Sequence, residues 1–312
     1  MEIMFTEPVY KDYIWGGYRL KNDLNKKTPF EKTAESWEVS CNKNGVCTVR
    51  NGEFAGKLLT DVYSDEVRKE AIFGSNCNQY DEFPILIKFI DAMNNLSIQV
   101  HPDDEYAKKI GLPNGKNEMW YVMDCGVDSQ LIAGMNKTLS KEELTNIIEN
   151  NQIKEYLNYV PIKPGDSVYI PAGTLHAILN NILICEIQQN SDTTYRVYDW
   201  DRVDKEGKSR PLHKAEAINT INSTQIPKVV HSSNEQIQII ASNQLFEVSK
   251  IVCKNDFEGV TTSNSFEAYC VVNGNGMIEG YHMNRGDSFI IPANYGNYKI
   301  EGNVELLKTV IK

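Results

Sequence analysis

The sequence predicts a mainly β protein built from two related modules, the first of which carries short helical insertions. Two features support this prediction: short apolar runs bounded by turn residues, and an internal repeat. The segment KPGDSVYIPAG (163–173) recurs as NRGDSFIIPAN (284–294), and both the glycines and the prolines of the two copies lie 121 residues apart. A repeat of this kind indicates two copies of one supersecondary unit.

A second pair of matching segments locates the helical insertion. EMWYVMDCG (118–126) matches FEAYCVVNG (266–274) at a separation of 148 residues, so the first copy is longer than the second. Within that extra length, Ser140 and Glu143 have the spacing of a capping box, ahead of apolar residues at helical spacing. The insertion is therefore predicted to form a pair of short helices.

The position of the repeats divides the chain into a first module at residues 1–225 and a second at 226–312. In the first module, Phe83–Ala92 is an apolar, strand-like run with one lysine, Lys88, near its centre. This run leads through two asparagines into SIQVHPDD (97–104). The two segments are predicted to form a β-hairpin.

Composition limits the classes of function. Of 312 residues, 41% are hydrophobic and 24% charged, as in ordinary globular proteins. The net charge of −10 argues against broad binding to nucleic acid or an anionic membrane, since both require a basic face. No signal peptide or membrane span is predicted, and the seven cysteines, without a Cys-x-x-Cys pair, are expected to be reduced thiols. A cytoplasmic monomer or homodimer is expected.

Polar side chains with metal-ligand chemistry occur at strand spacing. Gln99 and His101 are two residues apart and so share one face of a strand, as do Lys116 and Glu118. His176 follows a Pro-Ala-Gly turn. Two imidazoles, a carboxylate and an amide oxygen on facing strands form a plausible site for zinc or a similar divalent ion.

The second repeat serves as an internal comparison for these ligands. Glu118 corresponds to Phe266, and His176 corresponds to Asn297. The second module therefore keeps the turns and strands but lacks the ligand set. Residues needed only for folding should persist in both copies, so the difference favours a functional role for Glu118 and His176. The second module is predicted to be metal-free.

One spaced pattern resembles a known superfamily. The residues are Gly165, Pro171, Gly173, His176 and Asn180, at the spacing G-x5-P-x-G-x2-H-x3-N. This pattern resembles the second sequence motif of the cupins, which implies two β-barrel (jelly-roll) modules with a metal ion at a barrel mouth. The first cupin motif is met less well, because Gln99 stands where a histidine is usual.

Longer segments point more narrowly. SIQVHPDDEYA, GKNEMWYV, PAGTLHAI and EIQQNSDTTYRVYDWDR (186–202) closely resemble the type I phosphomannose isomerases, in a compact bacterial form without the longer helical domain. The resemblance implies interconversion of mannose 6-phosphate and fructose 6-phosphate through an enediol(ate). It also implies one Zn²⁺ per chain, or another divalent metal. The implied ligands are Gln99, His101, Glu118 and His176.

The resemblance also implies roles for three cations. Arg196 is the implied catalytic arginine and would hold an enediolate oxygen or the phosphate. Lys116 is a candidate acid/base, and Lys88 a candidate phosphate contact. Structural alternatives stay open: Arg196 could pair with Asp199 or Asp192, Lys116 could only contact substrate, and Lys88 could be a salt-bridged strand lysine.

Two other functions compete with this prediction. A non-catalytic cupin could bind a sugar phosphate and use its metal only for recognition. A redox cupin would use iron or manganese, but such sites usually prefer three histidines. In each case the partner is a small molecule, with no nucleic acid or membrane. Gln99 could also support a ligand rather than bind the metal, and His213, His231 and His282 are predicted to face solvent.

Overall fold

A computed structural model describes residues 1–204 and 206–312. The strands, numbered in chain order, are β1 Met4–Glu7, β2 Val9–Lys11, β3 Glu35–Val39, β4 Cys41–Asn42, β5 Gly45–Val46, β6 Thr48–Val49, β7 Ile85–Ala92, β8 Ile98–Val100, β9 Glu118–Cys125, β10 Gln130–Met135, β11 Leu157–Pro161, β12 Ser167–Ile170, β13 His176–Ile178, β14 Ile182–Gln189, β15 Tyr195–Tyr198, β16 Val229–Val230, β17 Ile237–Ser242, β18 Phe246–Cys253, β19 Asp256–Val260, β20 Glu267–Ile278, β21 Tyr281–Asn284, β22 Ser288–Ile291 and β23 Asn297–Ile311. The α-helices are α1 Arg19–Asn22, α2 Leu59–Tyr63, α3 Lys69–Phe73, α4 Asp104–Lys109, α5 Lys141–Glu149 and α6 Lys214–Thr220. Short 3₁₀ helices cover Gly52–Phe54, Ser75–Cys77 and Ile153–Tyr156.

These strands form three larger antiparallel sheets. Sheet A has the order β16-β12-β9-β14-β7-β3-β2, and sheet B has the order β11-β10-β13-β8-β15. Sheet C has the order β17-β18-β23-β20-β22-β1-β6, with β19 added on β23 and β21 on β20. The short strands β4 and β5 form a separate pair.

The sheets are layered, and sheet A lies in the middle. Ile90, Trp120 and Ile184 of sheet A pack with Leu131 and Ile178 of sheet B in one buried cluster. The opposite face of sheet A packs in a second cluster with residues of sheet C. Every residue of β7 and of β14 is buried as a result. Continuous apolar strands are the expected consequence of burial on both faces.

The outer face of sheet B is covered by the helical insertion. Ser140 caps α5 and Glu143 reaches back to it, so the predicted capping box is present. Leu144, Ile147 and Ile148 of α5 pack against residues of sheet B. The second predicted helix of this insertion is a short 3₁₀ helix at Ile153–Tyr156. The insertion thus packs on the face of sheet B that points away from sheet A.

The predicted repeat is present as a strand-turn-strand unit in both modules. Strand β12 pairs with β9 in sheet A, and β22 pairs with β20 in sheet C. Each of β12 and β22 is preceded by a glycine with positive φ, Gly165 at 92° and Gly286 at 98°. A side chain is strained in that region, which explains why glycine occurs in both copies.

Two strands connect the modules across the predicted boundary. Strand β1, at the start of the chain, pairs with β22 and β6 and so belongs to sheet C. Strand β16, just after residue 225, pairs with β12 of sheet A. Each module therefore receives a short strand from the segment assigned to the other. The division into 1–225 and 226–312 stays a prediction.

The predicted hairpin between Phe83–Ala92 and 97–104 is wrong. Strand β7 pairs with β14 and β3 in sheet A, whereas β8 pairs with β13 and β15 in sheet B. Both edges of β7 are already hydrogen-bonded, so β8 has no free edge there to join. The chain crosses between the two sheets instead, which places Lys88 and Gln99 on facing sheets.

Candidate metal centre

A row of three polar residues crosses sheet B. His176 of β13 lies opposite Gln99 of β8, and Gln99 lies opposite Arg196 of β15. Residues directly opposite each other on antiparallel strands share a face. Their neighbours Ile98, Ala177 and Val197 pack on the helical side, so the three polar side chains point toward sheet A.

Sheet A contributes a carboxylate, that of Glu118 at the start of β9, which lies close to the polar side chains of sheet B. Glu118 Oε1 lies 3.2 Å from His176 Nε2, and Glu118 Oε2 lies 3.5 Å from Nε2 of His101, which follows β8. One ligand atom from each of the three residues lies within 4.8 Å of the others. All three side chains are at most 1% exposed. In the described ranges 1–204 and 206–312, no other group of His, Cys, Asp and Glu has this spacing.

Backbone carbonyls orient both imidazoles. His101 Nδ1 donates to Thr193 O at 2.8 Å, and His176 Nδ1 donates to Thr174 O at 2.8 Å. A carbonyl oxygen can only accept, so each proton resides on Nδ1 and each Nε2 lone pair faces Glu118. Such contacts fix the tautomer of metal-binding histidines in many proteins.

The cluster has more buried acceptor atoms than donors, because Lys116 is the donor that contacts it. Both Glu118 oxygens and His176 Nε2 are buried without a hydrogen-bond partner among the described residues. Lys116 Nζ is 3.0 Å from Glu118 Oε2 as an ion pair, and it donates to His101 Nε2 at 3.2 Å. Unpaired buried acceptors are costly. A divalent cation would satisfy them, and two imidazoles with one carboxylate suit Zn²⁺ or a similar ion.

Burial also sets the protonation of these groups. It raises the pKa of Glu118 to about 7 and lowers the pKa of His176 to about 4. Burial, with Lys116 and His176 nearby, holds the pKa of His101 well below its usual value. Both histidines are therefore neutral near pH 7, the state in which imidazole binds metals.

A cavity of about 140 Å³ lies beside the cluster. Gln99 and Lys116 line it and so connect it to the three buried ligands. Lys88, Arg196 and Arg210 also line it. The structure thus brings the predicted site residues to one place, the space between sheets A and B.

Arg196 lines the cavity, and none of the ion pairs of the described residues includes its guanidinium. Its Nε is buried and has no hydrogen-bond partner among the described residues. Asp199, a predicted alternative partner, instead forms ion pairs with Arg202 and Arg210. Burial and the nearby Arg210 lower the pKa of Arg196. The guanidinium is therefore available to an anion in the cavity.

Lys88 differs, because two carboxylates match its charge. Lys88 Nζ lies 3.3 Å from Glu186 Oε1 and 3.6 Å from Glu35 Oε2. Trp120 Nε1 donates to Glu186 at 2.9 Å, and Trp37 Nε1 donates to Glu35 at 2.6 Å. Burial alone would lower the pKa of Lys88, but the two carboxylates outweigh it and raise that pKa. The candidate substrate contact is thus also the centre of a buried ion-pair network.

Comparison with known proteins identifies the family. The family description "Phosphomannose isomerase type I, catalytic domain" matches residues 4–124, and "Mannose-6-phosphate isomerase, cupin domain" matches residues 236–311. A mannose-6-phosphate isomerase of Bacillus subtilis is 40% identical over 315 residues, which cover 98% of each chain. The chain belongs to the type I mannose-6-phosphate isomerases. The resemblance predicted from the sequence motifs is therefore confirmed.

Other relatives agree with this assignment over nearly the whole chain. A mannose-6-phosphate isomerase of Streptococcus mutans is 34% identical over 98% of this chain and 97% of its own. The crystal structure of a mannose 6-phosphate isomerase from Bacillus subtilis matches with a TM-score of 0.90 at 34% identity, covering 99% of both chains. The predicted mainly β, cupin-type fold is also confirmed.

Several residues of the site were not predicted. Glu35 and Glu186 were missed, although both form ion pairs with Lys88. Glu35 lies two residues before Trp37, and Glu186 lies opposite Trp120 on the neighbouring strand. His213 was predicted to face solvent but is half-buried and bonded to the backbone of Arg196. His231 faces solvent as predicted, with its side chain 67% exposed, and it also contacts the buried Asp166. Pairings of this kind join distant segments and leave no local pattern.

The rest of the described chain adds two facts. Among residues 1–204 and 206–312, no helix combines the length and the apolar character that crossing a membrane requires. All seven cysteines lie in these ranges and are free thiols. The predicted reduced state of the cysteines is consistent with this arrangement.

Proposed function

We propose that this chain interconverts mannose 6-phosphate and fructose 6-phosphate as a metal-dependent aldose–ketose isomerase. The observation that carries the proposal is the buried group of His101, Glu118 and His176, whose ligand atoms lie within 4.8 Å of one another beside a cavity lined by Lys116 and Arg196. Relatives that share at least 34% of its residues are named mannose-6-phosphate isomerases. Residues and relatives therefore favour the same activity.

The cofactor we propose is one Zn²⁺ per chain, although another divalent metal would suit the same ligands. His101, Glu118 and His176 would hold it, with Gln99 as a fourth ligand from the adjoining strand. When bound, a divalent ion supplies positive charge that stabilises negative charge on the oxygens of the substrate. A mainly neutral ligand set preserves that charge, since only Glu118 is anionic.

The chain's own cations have proposed roles in proton transfer and binding. Isomerisation moves a proton between C2 and C1 through an enediol(ate), and Lys116 Nζ, at the junction of cluster and cavity, would carry it. Arg196 would hold an enediolate oxygen or the phosphate, because its buried Nε has no hydrogen-bond partner within residues 1–204 and 206–312 and Asp199 pairs with Arg202 and Arg210 instead. Lys88 stays a predicted substrate contact, in addition to its place in the ion-pair network.

Measurement of isomerase activity tests the proposal. Chelator-treated protein should be inactive and should regain turnover with added Zn²⁺. His176→Ala should lose both metal and activity, whereas Arg196→Ala should keep its metal and lose turnover. Sugar-phosphate binding without isomerisation under any divalent metal would favour the non-catalytic binder and overturn the proposal. Full turnover in Arg196→Ala would overturn the role of that residue alone.

We further propose a cytoplasmic location and a small sugar phosphate as the partner. Seven free thiols are consistent with a reducing compartment. The net charge of −10 favours a local cationic site over a broad anion-binding face. We propose a monomer or a homodimer, and sedimentation would distinguish the two.

A further inference from the structure

At Arg196, the outer edge of β15 is hydrogen-bonded to His213. His213 N donates to Arg196 O at 2.8 Å, and Arg196 N donates to His213 Nδ1 at 3.2 Å. A neighbouring strand would supply one N–H and one carbonyl at such a position. His213 supplies the N–H from its backbone, and its ring nitrogen takes the place of the carbonyl.

This pairing matters because β15 lies at the edge of sheet B. The strand has four residues and is the last strand of sheet B, with β8 on its inner side. Its register with β8 shifts between Arg196 and Tyr198. The two bonds from His213 therefore hold the backbone of Arg196 from the side that β8 does not reach.

His213 is itself held in place on several sides. It directly precedes α6, and its carbonyl accepts a hydrogen bond from Ala217 N at 2.9 Å. Its ring centroid lies 6.2 Å from that of Tyr195. Ala217 is buried in the cluster that covers sheet B. The histidine thus ties β15 to a helix that is anchored in the core.

We propose that His213 is a positioning residue that directs Arg196 into the cavity. The inference rests on the proposed role of Arg196 in isomerisation. The ring must accept at Nδ1, because the Arg196 amide can only donate. His213 does not line the cavity, so it acts through Arg196 and not on the substrate.

Substitutions of His213 that move or remove the acceptor of the Arg196 N–H test whether an acceptor is required at the position of Nδ1. In His213→Asn, the amide oxygen can occupy the place of Nδ1 and accept from Arg196 N. In His213→Gln the side chain is longer by one methylene, so its oxygen extends past that place. His213→Leu has no acceptor. The asparagine variant should therefore behave like the wild type, and the other two should be impaired.

The experiment compares kcat/KM of the metal-loaded variants for mannose 6-phosphate, with bound metal and thermal unfolding measured alongside. The glutamine and leucine variants should lose on the order of 10- to 100-fold, the range caused by misplacing a reacting group by about 1 Å. Their metal content should not change, and the asparagine variant should keep a kcat/KM close to that of the wild type. His282→Leu, at an exposed histidine of the second module, is the matched control.

Two results separate this inference from the proposed function. Arg196→Ala is measured in parallel, and adding His213→Gln to it should cause no further loss, because the histidine acts through the arginine. If Arg196→Ala is fully active, the proposed role of Arg196 fails. If Arg196→Ala is impaired but the glutamine variant is folded and fully active, only the inference about His213 is overturned. The inference is also overturned if the asparagine and glutamine variants are equally impaired.

Discussion

Replacement of Lys88 by methionine tests how much the buried ion pairs that line the cavity contribute to stability. Lys88 is 6% exposed and lies within a strand whose residues are all buried. Its ammonium sits between Glu186 and Glu35, at 3.3 and 3.6 Å. Methionine keeps most of the side-chain volume and removes only the charge. The two carboxylates would then remain buried without their shared cation.

The size of the effect follows from that arrangement. Removing one partner of a buried ion pair costs about 3–5 kcal/mol of unfolding free energy, because the remaining charge is left uncompensated. Here two carboxylates lose the same partner, although each keeps an indole N–H donor from Trp120 or Trp37. We therefore expect a loss of about 3–5 kcal/mol, with a fall in Tm of roughly 5–10 °C.

Urea and thermal unfolding of the metal-free protein at pH 7.5 would measure this loss. Lys208→Met is the matched control, since Lys208 pairs with Glu206 but its side chain is 75% exposed. An exposed pair contributes at most about 1 kcal/mol. Combining Lys88→Met with glutamine at both glutamates should recover much of the stability. If Lys88→Met unfolds like the wild type and only raises KM, the ion-pair reasoning is refuted and Lys88 acts chiefly on the substrate.

Three further predictions concern the metal cluster and the insertion. Burial raises the pKa of Glu118 from 4.5 to about 7, so its proton stabilises the metal-free fold below pH 4.5, and this contribution is lost as the pH rises through 7. The unfolding free energy of wild type minus that of Glu118→Gln should therefore fall between pH 4.5 and 7, and a flat difference in urea titrations would contradict this. Gln99→Ala should weaken Zn²⁺ affinity by roughly 10- to 100-fold in competition with a chelating dye; unchanged affinity would exclude Gln99 from the ligand set. Ser140→Ala should lower the unfolding free energy by about 1 kcal/mol through loss of the α5 cap, with no change in kcat; equal stability would show that the cap is dispensable.

Local patterns predicted much of the fold because they depend on neighbours in the chain. The capping box ahead of α5 and the positive-φ glycines before β12 and β22 are set by backbone sterics within a few residues. The hairpin prediction failed for the opposite reason. Which edge a strand joins depends on which edges are still unpaired, and β7 is paired on both sides by distant segments.

The same distinction applies to the site. Strand alternation placed Gln99 and His101 on one face, since a period of two does so whatever the partner strand, and the internal repeat distinguished Glu118 and His176. The structure brings His101, Glu118 and His176 together, whereas Gln99 as a metal ligand stays a prediction. The family motifs added Arg196.

Three properties depend on contacts between segments far apart in the chain and became visible only in the tertiary structure. These are the match between Lys88 and its two glutamates, the Arg196 Nε that has no hydrogen-bond partner in the part of the chain that the structure describes, and the bond from the Arg196 amide to His213. Charge compensation depends on distances of a few ångströms between segments far apart in the chain. By itself the sequence determined which side chains could bind a metal and a sugar phosphate. Only the tertiary structure decided which of its cations are already neutralised and which remain free for an anionic ligand.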